Sequence, residues 1–107
     1  FAIIIYIYNN MNYKIEKETL YICDQWGNKL KTISDKVSYA TYDDKQNIFL
    51  VTLTNGQVRT KDTNGNGIRI ICEGAVEARF SGTNIQVRRK DGRNEIRDKF
   101  GNQLRWL

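Results

Sequence analysis

The stretch DTNGNGIRIICE, residues 62–73, has the outline of a calcium loop. Asp62, Asn64 and Asn66 stand at alternate positions, Gly67 is sixth, and Glu73 stands twelfth, where a bidentate carboxylate closes such a loop. Arg69 stands at the eighth position, a cation inside the loop where an apolar residue belongs. A turn between two strands explains Asp62, Gly65 and Asn66 equally well. Calcium therefore enters as an alternative, and the primary expectation is that no metal or other cofactor is bound.

The second chemically suggestive group is basic. Residues 75–107 hold eight Lys/Arg against four Asp/Glu, most of the net +5 of the 107-residue chain. Arg88, Arg93, Arg97 and Arg105 are candidates for contact with an acidic protein or a nucleic-acid backbone. Trp26 and Phe100 are expected at the tips of exposed turns, where a large apolar side chain either tucks over a neighbouring strand or serves binding. Strand alternation must divide the cations between two faces, with Arg88 and Arg89 on opposite sides.

Catalysis finds few groups. The chain has no histidine, which removes triads and metal sites built on imidazole. Asp43-Asp44 is an acidic pair on a loop without a partner that defines a reaction. Gly65-x-Gly67 precedes a strand and not a helix, so it is no nucleotide loop. Cys23 and Cys72 match no zinc spacing and read as buried free thiols. The expectation is a protein that is not an enzyme.

These residues are positioned by a repeat. Asp24-Gln-Trp-Gly27-Asn28-Lys-Leu30-Lys31, Asp62-Thr-Asn-Gly65-Asn66-Gly-Ile68-Arg69 and Asp98-Lys-Phe-Gly101-Asn102-Gln-Leu104-Arg105 share one pattern, 38 and 36 residues apart. Asp at the first place can accept backbone N–H groups ahead of it, and Gly can take the left-handed position of a turn. Upstream, Asn12–Ile15, Asn47–Leu50 and Asn84–Val87 align, as do Tyr6–Tyr8, Ala40–Tyr42 and Ala78–Phe80. Asn55-Gly56 and Asp91-Gly92 predict type I′ hairpins; Lys17-Glu18 holds their place in a degenerate first copy.

Each unit reads as four short antiparallel strands. The expected strands are 2–8, 12–16, 19–23 and 29–33; then 37–42, 48–53, 57–61 and 67–72; then 75–80, 84–89, 93–97 and 103–107. Alternation puts Val58, Thr60, Ile68 and Ile70 inward, and Tyr42 and Phe80 read as core. The fold expected is all-β, a single domain of units 1–36, 37–74 and 75–107.

The third unit, VEARFSGTNIQVRRKDGRNEIRDKFGNQLRWL, resembles a WD40-type β-propeller blade, and the second follows the same outline. In the place of the Trp of the Trp-Asp dipeptide stand Cys23, Lys61 and Arg97, and the Gly-His pair is missing. The resemblance implies propeller-like blades, with a β-trefoil or another three-fold closure as the alternative. Propellers need at least four blades, so the chain is expected to be a fragment of a larger ring or to self-associate.

The function expected is an interaction module that binds another macromolecule through turn tips or the basic third unit. Another protein or a second copy is the leading partner; nucleic acid ranks lower, and no membrane contact is expected. The alternative is a carbohydrate-binding, lectin-type repeat protein.

Overall fold

The computed structural model describes residues 11–107. The expected first strand, 2–8, with Tyr6 and Tyr8, lies outside the described residues. Among these there are eleven strands and no helix, and so none long and apolar enough to cross a membrane.

Strands β1 (Tyr13–Glu16), β2 (Thr19–Cys23) and β3 (Lys29–Ser34) form the first sheet. The second holds β4 (Val37–Asp43), β5 (Ile48–Leu53), β6 (Val58–Lys61) and β7 (Gly67–Cys72). The third holds β8 (Ala75–Ser81), β9 (Asn84–Arg89), β10 (Asn94–Arg97) and β11 (Gln103–Trp106). Each sheet is an antiparallel meander in chain order, and no strand crosses from one sheet to another. Three repeats have become three sheets because every connection within a unit is a short turn, and short turns join neighbouring antiparallel strands.

The turns share one construction. The Gly65 N–H donates to the Asp62 carbonyl at 3.1 Å and the Asp62 N–H to the Asn66 carbonyl at 3.0 Å; the same pair of bonds closes 24–28 and 98–102. It also closes 53–57 and 89–93. This is a three-residue loop, a type I turn completed by a left-handed glycine. The type I′ expectation for Asn55-Gly56 and Asp91-Gly92 is therefore corrected, since φ is positive at the glycines and not at Asn55 or Asp91. The pair with positive φ at both residues is Lys17-Glu18, at 49° and 66°, in the degenerate copy.

The sheets stack through two clusters. Leu20, Ile33, Val37, Phe49 and Val51 bury between the first and second sheets. Leu50, Val58, Ile71, Cys72, Ala75, Ala78, Ile85 and Val87 bury between the second and third. Tyr42 and Phe80 are half-buried against these clusters. Cys23 and Cys72 are both buried and free, and burial raises the Cys72 thiol above its ordinary value, which disfavours the reactive thiolate.

Register fixes which residues correspond. Phe49 pairs with Lys61, and Ile85 with Arg97. Lys61 and Arg97 each precede the repeat Asp, so Phe49 corresponds to Ile85. The expected match of Asn47–Leu50 with Asn84–Val87 is thus out of step by one residue. One residue inverts every side chain in a strand, and the correction decides what the outer face of the third sheet contains.

Candidate interaction surface

The three repeat turns do one structural job. The Asp98 Oδ1 accepts the N–H groups of Phe100 and Asn102, both at 2.9 Å, and its Oδ2 accepts the Asn102 side-chain amide at 3.1 Å. Asp24 makes the same three bonds with Trp26 and Asn28, and Asp62 with Asn64 and Asn66. The Asn66 and Asn102 N–H bonds are the largest causes holding the Asp62 and Asp98 carboxyls below their ordinary value. At Asp24 desolvation pulls the other way, but the bonds from Asn28 and Trp26 prevail.

These contacts bear on the calcium alternative. Asp62 is committed to N–H donors, and the Asn64 side-chain oxygen accepts from the Lys31 ammonium at 2.8 Å. Glu73 stands beyond the far end of β7, about 20 Å of extended chain from the turn. The structure gathers Asp62, Asn64 and Asn66 but not Glu73.

Two of the turns also join sheets. A Cβ on Gly65 would lie 3.1 Å from the Ile33 carbonyl oxygen, and one on Gly101 only 2.9 Å from that of Ile71. Each turn sits so close on the outer strand of the preceding sheet that a Cβ at that glycine would require the neighbouring backbone to move. The cation before the turn aims at the same place. Lys61 Nζ donates to the Ile33 carbonyl at 3.5 Å, and Arg97 Nη1 to the Ile71 carbonyl at 3.4 Å and the Gly101 carbonyl at 2.7 Å. Burial lowers the Lys61 pKa.

Arg97 is consequently turned inward. Its guanidinium bonds Glu95, which is 1% exposed and also lies 3.4 Å from Arg89. The structure thus separates Arg97 from the other candidate binding residues. Arg88 lies on the opposite, outer face near Glu77, as the alternation required. Arg105 shares that outer face, in the cross-strand row Arg79–Gln86–Ile96–Arg105. Arg93 is at a hairpin end, bonded to Asp91, with its guanidinium 4.1 Å from the centre of the Trp106 ring.

The tip aromatics are exposed as expected, Trp26 at 76% and Phe100 at 54%. Neighbouring repeats meet at this rim: Lys31 reaches Asn64, while Arg69 and Lys99 each stand 5.4 Å from the Phe100 ring centre.

Sequence reasoning missed the row beside the tips. Leu30, Ile68 and Leu104 occupy one repeat position and are 64%, 51% and 49% exposed. Ile70 and Trp106 are likewise exposed. The inward expectation for Ile68 and Ile70 fails because β7 carries two bulges against β6, and each bulge resets the alternation. Ile71 and Cys72 take the buried places instead. Bulges also fall at Leu30 and Leu104, which have no partner in the register.

A cleft of about 600 Å³ opens between the ends of β4 and β8, lined by Tyr39, Tyr42, Asp43, Asp44, Arg79 and Phe80 among others. Asp43 is engaged within its own loop by the Lys45 N–H and the Gln46 amide. Tyr42 is pushed up in pKa by burial and by Asp44 and Asp43.

No protein-family model matches the chain, and no curated protein is significantly similar to it.

Proposed function

We propose that the chain is a non-enzymatic interaction module, a propeller-like stack of blades that holds another macromolecule along its outer rim. The observation that carries this reading is the row Leu30, Ile68 and Leu104. A repeat places an aliphatic side chain in water three times, each followed by a cation: Lys31, Arg69 and Arg105. Scattered exposed aliphatics need no explanation, but repeated ones beside exposed aromatics and cations have the composition of interfaces. The propeller-like reading is supported by the way the described strands of each unit stay in a sheet of their own; a trefoil would share strands between units in a barrel.

A partner other than a second copy fits the third sheet better. Its outer face carries Gln86, Arg88 and Asn94 where the second sheet carries Leu50, Thr52 and Val58, and a polar face gains little by burial against its own kind.

The test is the variant L30S/I68S/L104S. If these side chains serve a partner, its melting temperature stays within a few degrees of the parent, since exposed substitutions cost about 0.5 kcal/mol or less each. A collapse of the fold would assign the row to stability and remove the basis of the reading.

The cleft supports a second reading, a carbohydrate-binding protein. Tyrosine rings beside carboxylates and a guanidinium suit stacking on a sugar and bonding its hydroxyls. A glycan array separates the two: saturable sugar binding lost on Tyr39→Ala favours the lectin, and a blank array favours the module.

A further inference from the structure

The outer strands β3, β7 and β11 each form one edge of their sheet, and unpaired edges invite another strand unless something blunts them. Each carries at least one bulge in its pairing with the neighbouring strand. What sets β11 apart is the set of groups around it; on it Arg105 and Trp106 stay in register with Ile96 and Glu95, and the Leu107 N–H donates to the Asn94 carbonyl at 2.9 Å. All four of its residues are exposed.

The groups around this edge are cationic and apolar together. Trp106 is 46% exposed beneath Arg93, and Phe100 stands between Arg69 and Lys99. Arg105 adds a further cation on the strand itself. Of the nearby carboxylates, Asp91 is bonded to Arg93 and Asp98 is taken up by its turn.

We propose that β11 is a docking edge for an extended acidic peptide, which adds as a fifth strand to the third sheet. This rests on the interaction-module reading and names its partner. The peptide's backbone pairs with the open edge, its apolar residues lie by Trp106 and Leu104, and its carboxylates meet Arg69, Arg93 and Arg105. Nucleic acid fits less well. The Trp106 and Phe100 rings already carry cations over them, and a stacked base would displace these, whereas the free main-chain groups of an edge suit a peptide.

The W26F variant leaves Trp106 as the sole tryptophan, so its fluorescence reports on this edge. The probe is a synthetic peptide of alternating glutamate and valine, titrated at low salt. The expected result is a saturable change in Trp106 emission. Affinity falls about tenfold in R69Q/R105Q and by a similar factor when alternate peptide nitrogens are methylated, and it is unchanged in K17Q at the β1–β2 turn of the first sheet. Equal binding of the methylated peptide, equal loss in K17Q, a flat Trp106 signal, or tighter binding of an oligouridylate would each overturn the proposal. Because melting of L30S/I68S/L104S is measured without any ligand, failure here and failure of the module reading are separate results.

Discussion

The second and third sheets are built alike, but the corresponding faces that they turn the same way along the stack differ in polarity. On the second, Leu50, Thr52, Val58 and Thr60 are buried beneath the third. At the corresponding places the third sheet has Gln86, Arg88, Asn94 and Ile96. Gln86 and Arg88 are exposed, and with Glu77, Arg79 and Asn94 they line a shallow hollow of about 350 Å³. The β5–β6 and β9–β10 ladders that carry these faces are both regular, so what differs between the two faces is side-chain polarity.

The buried side of that comparison breaks most easily at its charge. Glu95→Ala strands Arg89 and Arg97 between two sheets, and chemical denaturation should show a loss of about 3–5 kcal/mol. Glu77→Ala removes a carboxylate that also faces two arginines, at 3.5 and 3.6 Å, but on the outer face; it should cost about 1 kcal/mol or less. Next comes the apolar pair. Leu50→Ala should cost about 2–5 kcal/mol, while Gln86→Ala stays within about 0.5 kcal/mol of the parent.

Grafting the covered face onto the open one sharpens the comparison. The variant Q86L/R88T/N94V gives the third sheet the residues of the second and exposes a continuous apolar surface. Sedimentation should show it self-associating at concentrations where the parent does not. A variant with the parent's mass would mean that these three positions do not decide what the face can bury.

The smallest effect is that of pH. The Asp62 and Asp98 carboxyls are held below their ordinary value of 3.8 in the folded chain. A depressed folded pKa contributes stability above the unfolded pKa, and that contribution disappears as pH falls through the folded value. The melting temperature should therefore hold steady above pH 5 and decline as acid is added below the ordinary aspartate range. In D24N/D62N/D98N that decline should flatten.

Much of this architecture can be read from the chain. The expected strands 19–23, 48–53, 67–72 and 84–89 coincide with those observed, and the others that are described differ only at their ends. Asn-Gly, Asp-Gly and the repeat Asp mark chain reversals by local chemistry alone. What local chemistry does not carry is pairing. The bulges on β3, β7 and β11 are properties of two strands at once, so Ile68 and Ile70 looked inward until their partners were known. The one-residue offset between Phe49 and Ile85 arises in loops of unequal length before β5 and β9, and with it hidden, the polar outer face could not be seen. Arg97 had the composition of a binding residue, and only its carbonyl partners on the preceding sheet reveal that it joins sheets.

The central claim is that the second and third repeat turns each sit on the outer strand of the sheet before them, which gives the stack its order. Gly65, Gly92 and Gly101 have φ of 86°, 90° and 90°, so alanine meets the same backbone penalty at all three. They differ in their neighbours: the Ile33 carbonyl at 3.1 Å, nothing within 4 Å, and the Ile71 carbonyl at 2.9 Å. The decisive measurement is the unfolding free energy of G65A and G101A against G92A. The account predicts a loss of about 1 kcal/mol for G92A and at least about twice that for the other two, because a preceding sheet must also move. Equal losses at all three would contradict it.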